Sequence, residues 1–174
     1  FVIGHVGRYI YIKNQSFLID IFTEILNNKP DSILMLIGSG QDELKLREKV
    51  KKLKIDDKVK FLINRNDVND LYQLMDVFIM PSLFEGLPLS CVEAQANGLP
   101  CFISDKISKE TILTSNIKMI NLDSSAKEWA EEILSSELKR NKNSIAEISN
   151  NGYDLVKESK KIQQIYINLY NENK

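Results

Sequence analysis

Three short stretches of this 174-residue chain carry residue types that can do chemistry. The first is Gly7-Arg8-Tyr9-Ile10-Tyr11-Ile12-Lys13-Asn14. Two cations flank a loop that runs into a helix start, where unpaired N–H groups already favour anions. Arginine can grip a phosphate through two N–H groups, and lysine adds a point charge. The plainer alternative is two solvated surface charges. The second stretch is Pro81-Ser82-Leu83-Phe84-Glu85-Gly86-Leu87-Pro88-Leu89-Ser90-Cys91-Val92-Glu93-Ala94. Gly86 would let a ligand approach the backbone closely, and Pro88 fixes the turn. A helix starting at Ser90 would offer a second set of free N–H donors. Glu85 and Glu93 could face one cleft. Glu93 has a second reading, because Ser90-Cys91-Val92-Glu93 fits a capping box. Glu85, a carboxylate beside a glycine turn among apolar neighbours, does little for a fold. The third stretch, Ile37-Gly38-Ser39-Gly40, is half of a dinucleotide fingerprint, and a tight strand-to-helix turn explains it better.

The elements that must position these residues alternate along the chain. Apolar runs occur at Phe1 to Val6, Ile33 to Ile37, Val59 to Ile63, Val77 to Met80, Cys101 to Ile103 and Ile117 to Ile120. Continuous runs of this kind suit strands covered on both faces. Between them, helical spacing is seen from Asn14 to Asn28, with Asn14 expected as N-cap and Pro30 as stop, and from Gln41 to Lys54. Further helices are expected over Ser124 to Ser136 and Tyr153 to Tyr170. Strand and helix in alternation predict an α/β fold, a doubly wound parallel sheet of Rossmann type. Ligands of such sheets bind outside the carboxyl ends of the strands, where the three stretches fall.

Composition narrows the function classes. Hydrophobic residues at 43% and charged residues at 27% are globular values, and a chain this long buries roughly 70% of its unfolded surface. With 23 basic against 24 acidic residues the net charge is −1, which argues against a duplex-DNA binder, and no nucleic-acid partner is expected. Cys91 and Cys101 form no metal-binding spacing, and His5 is the only histidine, so a structural zinc site is excluded. Cys91 reads as a small apolar filler. No apolar run is long enough to span a membrane, and a cytoplasmic location is expected. The basic face of Lys45, Arg47, Lys49, Lys51, Lys52 and Lys54 is interrupted by Asp42, Glu43 and Glu48 and reads as solvated. Tyr9, Tyr11 and Phe84 could stack on a base or sugar, or simply pack. The chain starts inside an apolar run without methionine, which reads as one domain of a longer protein.

With these residues in hand, the chain resembles the nucleotide-sugar-binding, C-terminal half of a retaining glycosyltransferase of family 4, of GT-B architecture. The resemblance covers essentially the whole chain. It rests on Gly7-Arg8 with Lys13 five residues on, on Leu34-Met35-Leu36-Ile37-Gly38-Ser39-Gly40, on Val59-Lys60-Phe61-Leu62, and on Asp76-Val77-Phe78-Ile79-Met80-Pro81-Ser82 leading into Glu85 and Glu93-Ala94. It implies that residues 1–174 form a donor domain and that an acceptor-binding N-terminal domain lies outside this chain. Arg8 and Lys13 would bind the donor diphosphate, with Gly7 in the same loop, and Glu85 would face the donor sugar. N–H groups around Gly86, Leu87 and Leu89 would hold sugar hydroxyls or phosphate. Glu93 would accept from the ribose hydroxyls, and Ile63 and Asn64 would meet the base edge. The implied substrate is a UDP-sugar, with no cofactor and no metal. The implied acceptor is a glycan or lipid-linked sugar in bacterial polysaccharide or capsule assembly, which is compatible with peripheral membrane association of a full-length protein. One departure stands out: Ser104-Asp105-Lys106-Ile107-Ser108-Lys109-Glu110 replaces the family's Gly-Gly-x-x-Glu turn, with Glu110 in place of its glutamate.

The alternative is a noncatalytic nucleotide-sugar-binding or regulatory module, against which the retained Arg8, Lys13, Glu85 and Glu93 argue. A phosphoacceptor signalling domain needs acidic residues where Gly7-Arg8 stands. An NAD enzyme needs the full glycine fingerprint after the first strand.

Overall fold

The computed structural model describes residues 1–172. Strands β1 (Val2–Val6), β2 (Ile33–Ile37), β3 (Val59–Leu62), β4 (Val77–Met80), β5 (Cys101–Ser104) and β6 (Ile117–Ile120) form one sheet in the order β3-β2-β1-β4-β5-β6. Every pairing is parallel. The helices are α1 (Gln15–Asn28), α2 (Glu43–Lys52), α3 (Val68–Leu74), α4 (Leu89–Ala96), α5 (Ala126–Ser135), α6 (Ser144–Asn150) and α7 (Leu155–Glu172). The expected α/β doubly wound fold is present. The chain winds outward from β1 to β3, returns to place β4 beside β1, and winds outward again to β6.

Strand residues alternate between two cores, as a pleated strand requires. Ile3, Leu34, Leu36, Val77, Ile79 and Phe102 join Leu18, Phe22 and Ile25 of α1 and Trp129 and Ile133 of α5 on one face. Met35, Ile37, Phe78, Met80, Cys101 and Ile103 join Tyr72 of α3 and Cys91 and Ala94 of α4 on the other. Both cysteines are therefore buried and free, Cys91 as the expected filler. Trp129 stands edge-on to Phe17, with ring centroids 6.0 Å apart, and its indole N–H donates to the Asn121 carbonyl at 3.0 Å.

Several local expectations need correction. Asn14 does not cap α1 with its side chain: it sits in the left-handed region at φ 54°, and its amide donates across to the Pro81 carbonyl at 3.1 Å. β3 ends at Leu62, one residue short of Ile63. The seven-residue helices α3 and α6 are too short to leave a clear periodicity. The long helix near the C-terminus forms as α7, yet no residue of it is buried, so its apolar stripe does not join either core. A true capping box closes α5, where Ser125 and Glu128 bond each other's backbone N–H.

β1 and β4 pair only at Ile3↔Val77 and Gly4↔Phe78, whereas β1 and β2 pair along all five residues. Where the β1–β4 ladder ends, the His5 imidazole takes over: Nδ1 donates to the Ile79 carbonyl at 2.9 Å. His5 is completely buried, and burial, joined by the nearby Lys13 charge, lowers its pKa from 6.5 to about 4. Gly38 ends β2 with φ +139°, and a Cβ there would lie 2.1 Å from the Gly7 carbonyl oxygen. Only glycine tolerates that backbone and that approach.

Two predictions follow from this geometry. Gly38→Ala should cost at least about 2 kcal/mol of unfolding free energy, combining backbone strain with a forced backbone shift, read by urea denaturation. The unfolded chain takes up the His5 proton near pH 6.5, whereas the folded chain refuses it until about 4, so His5 lowers stability as pH falls through that window. Between pH 7.5 and 4.5 the wild type should lose roughly 2–3 kcal/mol more stability than His5→Asn does over the same interval. Equal losses would mean that His5 is not held neutral.

Candidate functional site

The parting of β1 and β4 opens a crevice between two loops that leave toward opposite faces of the sheet, one into α1 and the other into α4. The first loop is anchored on both sides of Arg8. Gly7 N–H donates to the Ile37 carbonyl and Tyr9 N–H to the Ser39 carbonyl, both at 2.9 Å. Tyr9 is fully buried, with its hydroxyl donating to the Leu36 carbonyl at 2.7 Å, so it packs and does not stack on a ligand. With its neighbours tied down, Arg8 is left exposed, and no carboxylate among the described residues pairs with its guanidinium. The loop closes in a 3-10 turn, Tyr11–Lys13.

The second loop is clamped from both sides. Leu83 N–H donates to the Ile12 carbonyl at 2.8 Å, and Ser108 N–H donates to the Glu85 carbonyl at 3.0 Å. Across the crevice, Lys13 Nζ lies 2.6 Å from Glu85 Oε1, with the two side chains only 16% and 17% exposed. Glu85 Oε1 is enclosed, and the approach angle is that of an ion pair without an aligned hydrogen bond. Removing either partner would leave a partly desolvated charge. The family resemblance implied that Lys13 and Glu85 share one donor site, and the fold brings the two side chains into contact.

Gly86 follows Glu85, and a Cβ added there would meet nothing within 4 Å. Neither packing nor a left-handed backbone demands glycine at this position, which contrasts with Gly38. The N–H groups of Gly86, Leu87 and Leu89 donate to no protein acceptor among the described residues. These three N–H groups fall on the residues that follow Glu85 in the chain. Phe84 and Tyr11 flank the crevice loops at 69% and 77% exposure.

The capping-box reading of Glu93 is not supported. α4 begins at Leu89 with Pro88 as N-cap, so Ser90 lies inside the helix, and Glu93 Oε2 accepts from the Tyr72 hydroxyl of α3 at 2.9 Å. Burial and the Glu93 charge push the Tyr72 hydroxyl pKa well up, so it remains a donor that orients this exposed carboxylate. Ile63 and Asn64 follow β3, with Asn64 in a left-handed turn at φ 52°. In the order β3-β2-β1-β4 their loop lies two strands from β1, a span of roughly 10 Å. Glu110 lies exposed on the 3-10 turn Lys109–Thr111, next to the Ser108 that holds Glu85. Gly38-Ser39-Gly40 packs against the backbone of Gly7 and Tyr9 and serves as a turn.

Sequence reasoning missed four contributors. Asn14 and Ser108 were unreadable, since both act through backbone carbonyls of distant loops. Tyr72 had no signal either. His5, a lone histidine inside an apolar strand run, did carry one. Among the described residues there is no group of three or more metal-ligating side chains, and no helix long and apolar enough to cross a membrane.

With the geometry in place, comparison with known proteins identifies the relationship. The family model described as Glycosyl transferases group 1 matches residues 1–155. The Escherichia coli UDP-Gal:alpha-D-GlcNAc-diphosphoundecaprenol alpha-1,3-galactosyltransferase is 31% identical over 97% of this chain and 46% of its own length. The amylovoran biosynthesis glycosyltransferase AmsD of Erwinia amylovora is 31% identical over 58% of this chain and 28% of its own. Among solved structures, Anabaena Alr3699/HepE in complex with UDP and glucose superposes with a TM-score of 0.81 at 22% identity, covering 95% of this chain and 48% of that one, which shows a shared fold. The chain thus spans less than half the length of these relatives. Its fold is that of a GT-B C-terminal half, and the chain belongs to the glycosyl transferases group 1 family.

Proposed function

We propose that this chain, over residues 1–174, is the donor-binding half of a glycosyltransferase, taking a nucleoside-diphosphate sugar and specifically a UDP-sugar. The observation that carries this reading is the Lys13–Glu85 pair at the β1–β4 crevice, set beside the unpaired Arg8 guanidinium and the free N–H groups at Gly86, Leu87 and Leu89. The relatives support the substrate class: the E. coli relative is named for UDP-Gal, and the Anabaena structure contains UDP. Acceptor binding belongs to the further length found in the relatives. The full-length protein would then transfer a hexose to a glycan or lipid-linked acceptor in bacterial polysaccharide assembly, from the cytoplasm or the inner membrane face.

The chemistry follows from charge. The bond from the anomeric carbon to the diphosphate oxygen breaks with its electron pair, an acceptor oxygen bonds to the anomeric carbon, and the acceptor hydroxyl's proton passes to the departing diphosphate oxygen. Negative charge grows on the departing nucleoside diphosphate. Arg8 and Lys13 face that charge and stabilise the transition state more than the ground state, a role that requires no metal. Glu85 holds Lys13 in place and presents a carboxylate toward the donor sugar, whose configuration is retained. Gly86 leaves room for the sugar to lie against the backbone, Gly7 does the same for the diphosphate, and Glu93 accepts from ribose hydroxyls. The Ile63–Asn64 turn meets the base. The backbone that carries the two cations is already ordered, and Lys13 is held by Glu85, which lowers the reorganisation that catalysis needs.

Calorimetric titration of the chain with UDP, GDP and ADP, with and without Mg²⁺, tests the reading. Metal-independent UDP binding is expected, and an Arg8→Ala/Lys13→Ala double variant should bind at least tenfold more weakly, a loss of ~1.4 kcal/mol or more. Absence of binding to any of the three nucleotides would overturn it. Glu93→Gln keeps an acceptor for the Tyr72 hydroxyl, so its melting temperature should match the wild type while UDP affinity falls about tenfold. The wild type should prefer UDP to 2′-deoxy-UDP, and the variant should not.

A further inference from the structure

Two buried polar side chains lie under the crevice without facing it. Gln15 opens α1 and is 2% exposed, and His5 is fully buried in β1. The Gln15 amide nitrogen stands 2.6 Å from the Arg8 carbonyl and 3.3 Å from His5 Nε2. A carbonyl only accepts, so the NH2 group must point there, and its two hydrogens serve the carbonyl and the imidazole. His5 Nε2 is thereby an acceptor, and Nδ1 carries the proton donated to the Ile79 carbonyl at 2.9 Å. The resulting chain of bonds runs from β4 through His5 and Gln15 to the backbone of Arg8, the residue whose guanidinium stands unpaired. Gly7 adjoins both groups: a Cβ there would be 3.3 Å from His5 Nε2 and 3.4 Å from Lys13 Cε. The imidazole and the stem of Lys13 thus both border Gly7, close enough for the Lys13 charge to act on the ring.

Burying two polar side chains is costly unless they are hydrogen-bonded, and here the bonds run to each other and to the backbone of Ile79 and Arg8 on both sides of the crevice. We infer that His5 and Gln15 form a positioning relay that fixes the Arg8 backbone and the Lys13 stem, so that both cations converge on the donor diphosphate. The inference rests on the donor-site reading and adds to it two residues that touch no ligand. The relay works only with a neutral imidazole, since a second ring N–H would face the amide N–H of Gln15. Burial and the Lys13 charge keep it neutral down to about pH 4.

Titration of the chain with UDP, inorganic pyrophosphate and uridine separates positioning from packing. Gln15→Leu removes both donors with little change in shape. His5→Asn keeps a donor for the Ile79 carbonyl and loses the arm to Gln15. Each variant should lose about tenfold in affinity for UDP and pyrophosphate with uridine binding unchanged, and the double variant should lose no more than the worse single one. A lowered melting temperature with an unchanged UDP-to-uridine affinity ratio, or an equal loss for all three ligands, would reduce the pair to packing and overturn the relay. Failure of the wild type itself to bind UDP would instead overturn the donor-site reading, and the relay with it.

Discussion

A parallel sheet whose winding reverses must somewhere place side by side two strands that leave for opposite faces. Here those strands are β1 and β4, and their backbone ladder stops after Gly4 and Phe78. Beyond that point the strands would splay into solvent unless something rejoined them. Four ties do so: His5 to the Ile79 carbonyl, Asn14 to the Pro81 carbonyl, Leu83 to the Ile12 carbonyl, and Lys13 to Glu85. Three involve polar side chains, which hold the crevice at a set width without filling it. The opening and its chemistry arise together, because the residues that keep the strands in register are also, or adjoin, the residues of the candidate site.

Electrostatics divides the two cations. Lys13 is matched by Glu85 in a half-enclosed position where each would be costly alone. Arg8 is unmatched, lifted to the surface by the anchoring of Gly7 and Tyr9. A matched and an unmatched cation beside free backbone donors leave a local positive excess in a chain whose overall charge is −1. The glycines sort on the same logic. Gly38 is needed by the backbone, while Gly86 is needed by nothing within the chain and leaves open space beside Glu85.

Much of the fold was legible in the residue pattern. All six strands fall within about a residue of the apolar runs, because a strand buried on both faces must be continuously apolar, and that signal is local. The four long helices were readable for the same reason, through their spacing. α3 and α6 were not, since seven residues hold barely two turns. Capping was misjudged at Asn14 and Ser90, where the residue type suited a cap but the backbone took another path, and the box formed at Ser125 and Glu128.

For the candidate site, residue chemistry and spacing were enough to bring forward Arg8, Lys13, Glu85, Gly86 and Glu93, since cations, carboxylates and a glycine gathered on two strand-to-helix connections suit anion and hydroxyl binding. What the linear order could not hold was pairing. That Lys13 meets Glu85, that Tyr72 orients Glu93, and that Gln15 reaches both His5 and Arg8 depend on elements distant along the chain or on the direction a side chain takes. Local propensity is a property of neighbours in sequence, and it determined the strands, the long helices and the turns. Hydrogen-bond and charge partners are chosen by neighbours in space, and only the closed sheet, with β1 set against β4, decided those.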